Sequence, residues 1–175
     1  MAYRNSGRAE DALRELREAV RLDPDVQKAR YDLGLVYETN GQLDEAMAEY
    51  RAAARLDPTF PHPHNHLGVV HHAKGQLDDA VRELREAIRL DPGFADPHTN
   101  LGVCWLLMGR VDEAILEQLE AVRLAPELAA AHNNLGSAYE RAGRLDDATR
   151  EYREALRLAP AFATARRNLR LVELK

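Results

Sequence analysis

Residues 33–58 read LGLVYETNGQLDEAMAEYRAAARLDP, and this stretch decides the fold. It belongs to a unit of two amphipathic helices, spanning about residues 27–40 and 42–56,. The pair is broken at Gly41 and closed by Leu56-Asp57-Pro58. Glycine permits a tight reversal after the first helix, and proline cannot continue the second.

The same punctuation recurs outward in both directions. Pro24, Pro58, Pro92, Pro126 and Pro160 stand 34 residues apart, and Gly7, Gly41, Gly75, Gly109 and Gly143 keep that interval. So do Ala12, Ala46, Ala80, Ala114 and Ala148, and Ala19, Ala53, Ala87, Ala121 and Ala155. Independent series with one period define an internal repeat. Within the first helix of each unit, Leu33, Leu67, Leu101 and Leu135 precede Gly34, Gly68, Gly102 and Gly136. A mid-helix glycine costs about 1 kcal/mol relative to alanine. Its recurrence predicts close approach of the paired second helix, with the periodic alanines at the crossing points. Acidic pairs such as Asp78-Asp79 and Asp146-Asp147 open the second helices, where they favour the helix dipole; Asp78 with Arg82 and Asp146 with Arg150 are expected as i, i+4 ion pairs.

The pattern LG..Y...G..DEA...Y..A..LDP resembles the tetratricopeptide repeat, and the resemblance covers essentially the whole chain. With Gln27 as position one, full repeats occupy 27–60, 61–94, 95–128 and 129–162. Residues 1–26 form a partial repeat, with Tyr3 in the aromatic slot that Tyr37, Trp105 and Tyr139 fill later, and 163–175 form a C-terminal capping helix. Arg170 holds the slot of the close-packing glycine, so no second helix is expected against that cap. The N-terminal partial repeat keeps only a stub of first helix, too short to be stable alone, which would leave Leu13, Leu16 and Val20 poorly covered. That end reads either as the edge of a longer solenoid or as a surface that stacks on a partner, including another copy. The resemblance implies an all-α, right-handed superhelical solenoid of antiparallel helix pairs.

It also implies that first helices line a concave groove, through positions two, five, six, nine, twelve and thirteen. Position six is Asn100, Asn134 and Asn168, preceded by Asp32 and His66. An asparagine amide both donates and accepts, so such a ladder can pair with the backbone of an extended peptide. Tetratricopeptide superhelices of sugar-nucleotide glycosyltransferases carry a ladder of this type. Asn65 and Asn133 flank it at position five, and Leu35, Val69, Val103, Leu106 and Leu107 add an apolar strip,. The expected peptide site therefore comprises Asn65, His66, Asn100, Val103, Leu106, Leu107, Asn133, Asn134 and Asn168. The carboxylate grip of co-chaperone domains is not expected, because windows such as Tyr31, Leu35, His66, Asp96 and Asn100 lack its cations.

The run PHPHNHLGVVHH, residues 61–72, raises a metal reading,. Helical period splits it: His62 and His66 share the groove face, with Asp32 or Asp96 as a third ligand, whereas His64 recurs as His98 and His132 and reads as a packing residue. Structural histidines and no cofactor are the expectation. Cys104 takes a small-residue slot and reads as an inert buried thiol. Without a phosphate-binding loop, nucleophile elbow or paired carboxylates, no enzyme activity is expected. A net charge of −5 argues against nucleic acid,. No apolar run approaches the roughly 18 residues of a membrane span, and the cytoplasm is the default for a chain with one cysteine and no signal peptide. The function these features imply is a scaffold for a protein or peptide partner, alternatively the substrate-recruiting or regulatory arm of a larger enzyme, or a module that self-assembles through its N-terminal end.

Overall fold

Gly41, Gly75, Gly109 and Gly143 have φ of 74°, 73°, 76° and 74°. Each therefore turns the chain through the left-handed region, where a side chain is disfavoured. The computed structural model describes the backbone of residues 3–174 and the side chains of residues 11–174. Among them the chain forms α1 (Tyr3–Leu22), α2 (Gln27–Thr39), α3 (Leu43–Leu56), α4 (Pro61–Ala73) and α5 (Leu77–Leu90). These are followed by α6 (Ala95–Leu107), α7 (Val111–Leu124), α8 (Ala129–Arg141), α9 (Leu145–Leu158) and α10 (Ala163–Val172). The second helices stop where the residue before proline leaves the helical region, extended at Asp57 (φ −133°, ψ 94°) and turned out of the helix at Ala159 (φ −134°, ψ 84°),.

Two compact units result, Met1–Leu90 and Asp91–Lys175. In the first, α2 pairs with α3 and α4 with α5, while α1 lies on α2 and α3 on α4. In the second, α6 pairs with α7 and α8 with α9, α7 lies on α8, and α10 packs on α9 and α8.

The mid-helix glycines do what their recurrence implied. A Cβ on Gly34 would stand 2.6 Å from the Tyr50 ring, on Gly68 2.5 Å from Leu84, and on Gly136 2.7 Å from Tyr152. Gln118 presses equally closely on Gly102. Position 24 of the second helix thus rests on the position-eight backbone of the first, flanked by Ala46, Ala80, Ala114 and Ala148, all without exposed surface. The core of the first unit is built from Leu33, Tyr37, Ala46, Met47, Tyr50, Leu67 and Val70.

Three expectations change. First, no turn forms at Gly7: α1 runs from Tyr3 to Leu22 as one helix. A helical glycine costs only about 1 kcal/mol, and a stub of first helix offers too little burial to reward folding back. Tyr3 and its aromatic slot lie outside the described side chains. Second, Leu13, Leu16 and Val20 are half-buried against the core of the first unit; the exposed part of α1 is the side carrying Ala19 and Leu22. Third, the arginines pair at i, i+3: Arg82 with Asp79, and Arg150 with Asp147. Asp78 and Asp146 remain exposed at the helix starts. In α10, Arg170 is exposed and the helix anchors through Ala165 and Val172.

Candidate interaction surface

The first helices present their outer faces differently in the two units. In the first, Glu38 of α2 is held from two sides. The Tyr50 hydroxyl donates to its Oε2 at 2.6 Å, and His66 Nδ1 of α4 lies 3.0 Å from the same oxygen. Burial opposes the charge, but the bonds from His66 and Tyr50 outweigh it and hold the carboxyl below the usual glutamate range,. Burial first, then the Glu38 carboxylate, push the Tyr50 hydroxyl well above an ordinary phenol.

Aromatic rings extend this cluster. The His66 ring stacks on Tyr50 (5.2 Å between centroids), Tyr31 meets Phe60 edge-on at 5.2 Å, and Phe60 stacks on His62 at 4.8 Å. His62 and His66 thus share a face, as their spacing predicted, but their surroundings are aromatic. Asp32, the suggested third ligand, is paired with Lys28 at 3.1 Å. No group of three His, Cys, Asp or Glu side chains converges among the described residues. A shallow hollow of about 370 Å³ opens between Leu35, Val36, Glu38, Thr39 and His66.

The histidines at position four are corrected from packing residues to polar struts. His64 reaches Glu83, His98 reaches Glu117 and His132 reaches Glu151, each Nδ1···Oε2 at 2.7 Å, just as Arg30 reaches Glu49 at 2.9 Å. Position four of each first helix is thereby tied to position 23 of the second. The signal was present in the sequence, since Glu49, Glu83, Glu117 and Glu151 share the period of 34 residues. Cys104 is 1% exposed, and burial pushes its thiol up to about 11, the behaviour of an unreactive thiol at neutral pH.

In the second unit, Asn100, Val103, Leu106 and Leu107 project from α6, Asn133 and Asn134 from α8, and Asn168 from α10. The structure separates positions five and six. Asn133 is 6% exposed, donates to Asn134 Oδ1 at 3.3 Å and accepts from Asn168 Nδ2 at 3.2 Å; Asn65 of the first unit is buried likewise. Position five is thus a floor, while Asn100, Asn134 and Asn168 stay half-exposed. Between α6 and α8, Val103, Leu106, Leu107, Asn134, Ser137 and Arg141 enclose a hollow of about 290 Å³. Leu107 is 58% exposed at its edge.

Sequence reasoning missed Gln118. It replaces the position-24 residues Tyr50, Leu84 and Tyr152, is fully buried, and donates from Nε2 to the Thr99 carbonyl at 2.8 Å. Its Oε1 has no partner. The break in the series Tyr50, Leu84, Gln118, Tyr152 was the available signal.

Stacked helical hairpins with half-open first-helix faces define a protein-interaction scaffold. Three family models describing the tetratricopeptide repeat match residues 1–61, 70–104 and 129–162, and the chain belongs to the tetratricopeptide repeat family. Among curated proteins none matches the chain. The crystal structure of MamA is similar, with 26% identity and a TM-score of 0.76 over 89% of this chain and 91% of that one. TTC0263, a thermophilic TPR protein of Thermus thermophilus, is similar with 24% identity and a TM-score of 0.79, covering 99% of this chain and 95% of its own. YrrB, described as a TPR protein with an unusual peptide-binding site, has 24% identity and a TM-score of 0.71 over 93% and 84%. No described helix is long and apolar enough to cross a membrane.

Proposed function

We propose that this scaffold holds an extended peptide segment of a partner protein, and that the α6–α8–α10 face of the second unit is its principal site. The half-exposed amides of Asn100, Asn134 and Asn168 address the peptide backbone, whose spare N–H and C=O groups match a side chain that both donates and accepts. Val103, Leu106 and Leu107 take an aliphatic side chain, and Asn65 and His66 belong to the corresponding row of the first unit. The observation that carries this reading is the hollow beside Leu106 and Asn134, whose apolar lining the core does not use,.

The test is selection of binders from a displayed library of extended peptides, followed by titration against Asn100→Ala with Asn134→Ala and against Leu107→Asp. Leu107 is 58% exposed, so Leu107→Asp should unfold at the wild-type temperature, whereas Asn134→Ala removes the acceptor of the bond from buried Asn133, so binding by the double variant is measured well below its own unfolding temperature. Loss of binding by both variants supports the site, and undiminished binding by both overturns it.

A further inference from the structure

On the second helices α3, α5, α7 and α9 the same four positions stay exposed, at spacings of four, three and four residues. In α5 they are Asp78, Arg82, Arg85 and Arg89, and in α9 Asp146, Arg150, Arg153 and Arg157. In α7 they are Asp112, Leu116, Leu119 and Arg123. Leucines thus stand where the equivalent helices of the second and fourth repeats carry arginines, and they are 66% and 42% exposed. The inner face of α7 departs in the opposite sense, since fully buried Gln118 takes the place of Leu84 and Tyr152. The two leucines contribute little to the core, and leaving them in water is unfavourable.

We infer that the outer face of α7 pairs with the same face of a second copy of this chain, the two helices running antiparallel about a two-fold axis. Alternating spacings of four and three residues form the seam along which two helices interlock. The stripe is also palindromic in kind. Leu116 and Leu119 flank the midpoint of α7 (Val111–Leu124), with an acid four residues before the first and a base four residues after the second. A two-fold axis through that midpoint sets Leu116 against Leu119 of the second copy and Asp112 against its Arg123, so each contact is made twice, as an isologous interface requires. Antiparallel order also sets the helix dipoles in the favourable sense. The acidic flank, Glu113 and Glu120, is paired within each chain with Arg110 and Arg123. Arg123 keeps N–H groups to spare for a carboxylate, and Asp112 has no ion-pair partner of its own among the described residues.

Other pairings fit less well. The stripes of α5 and α9 would oppose arginine to arginine, and a parallel pair of α7 helices would oppose Asp112 to Asp112 and Arg123 to Arg123. An unrelated protein would place no demand on the stripe to match itself when reversed. The surface is separate from the proposed peptide site, which lies on first helices. Four leucines bury less than the roughly 1,200 Å² of a standard interface, so the dimer is weak, with a Kd of about 100 µM. Exposed ion pairs add little strength; here they set the direction of the helices.

Sedimentation equilibrium of the full chain from about 20 µM to 1 mM should show a reversible monomer–dimer transition. Leu116→Arg with Leu119→Arg installs the residues that α5 and α9 already carry at these exposed positions, so the fold is kept, which thermal unfolding checks. Dimerisation of this variant should weaken by about tenfold or more. Asp112→Arg alone and Arg123→Asp alone should each weaken it as well, whereas an equimolar mixture of the two should recover it, because only the mixed dimer pairs both ends. A chain that stays monomeric to about 1 mM overturns the proposal and leaves the face to a different protein. A dimer untouched by the double arginine variant overturns it too, and moves the interface elsewhere on the chain. So does a mixture no more dimeric than its two components, which removes the antiparallel register.

Discussion

The repeats 27–60 and 95–128 share a backbone plan but finish their outer faces in opposite ways. In the first, Tyr50 passes beneath Gly34 and its hydroxyl emerges to bond Glu38, which His66 also contacts. In the second, Gln118 passes beneath Gly102 but stops at the Thr99 carbonyl, and the position of Glu38 is taken by half-exposed Leu106. Positions 24 and 12 together therefore set whether a first-helix face is closed by a polar cluster or left apolar and open. Repeat proteins can vary in this way because each hairpin's core depends mainly on its neighbours. The fourth repeat returns to the first solution, with Tyr152 donating to Glu140 at 2.8 Å.

The largest test of this contrast is at the glycines. Gly34→Ala must displace a packed tyrosine ring with no exposed surface, and about 2–3 kcal/mol of stability should be lost despite the gain in helix propensity. Gly102→Ala meets the far end of a flexible amide and should cost only about 1 kcal/mol. Urea denaturation of both variants measures the difference. Equal losses would mean that helix spacing, not the position-24 side chain, sets the tolerance.

The polar partners come next. Tyr50→Phe removes a short bond to a half-buried carboxylate and should cost about 1–2 kcal/mol. Gln118→Leu has the opposite sign. It removes a buried amide whose Oε1 has no partner and installs the residue that already fits at Leu84, so it should stabilise by about 1 kcal/mol. The same substitution should leave the hollow at Leu106 able to bind peptide. A destabilised Gln118→Leu protein would show that the bond to the Thr99 carbonyl matters more than the orphaned oxygen.

Much of this was legible beforehand, for physical reasons that differ by residue. The turns at Gly41 and its equivalents, the helix ends before proline and the glycine contacts follow from backbone sterics, which one residue type determines. That Asn100, Asn134 and Asn168 recur at one position of successive first helices was also legible. The split between buried Asn133 and half-exposed Asn134 was not, because neighbouring positions on a helix differ by an angle whose meaning depends on what packs alongside. The position-four histidines were misread because a half-buried histidine looks apolar until its glutamate, 19 residues on, is placed beside it. The straight helix through Gly7 was misread because the repeat pattern marks where a turn can form, while the burial that rewards turning comes from a complete first helix.

The pH dependence of the first unit sharpens the contrast last. Glu38 has a folded pKa below its ordinary value of 4.5, so the folded state binds this proton less readily than the unfolded chain. Its contribution is therefore complete above about 4.5 and is lost as the pH falls through the depressed folded value. Urea midpoints measured from neutral pH downward should show the wild type losing its advantage over Glu38→Gln in that acid window, with a constant gap above it. Leu106→Ala, at the equivalent position of the third repeat, should leave the acid limb parallel to the wild type, because no carboxylate stands there. A gap between the wild type and Glu38→Gln that stays constant to pH 3 would mean that Tyr50 and His66 hold the protonated acid as well as the carboxylate. The cluster would then be a packing device and not an electrostatic one.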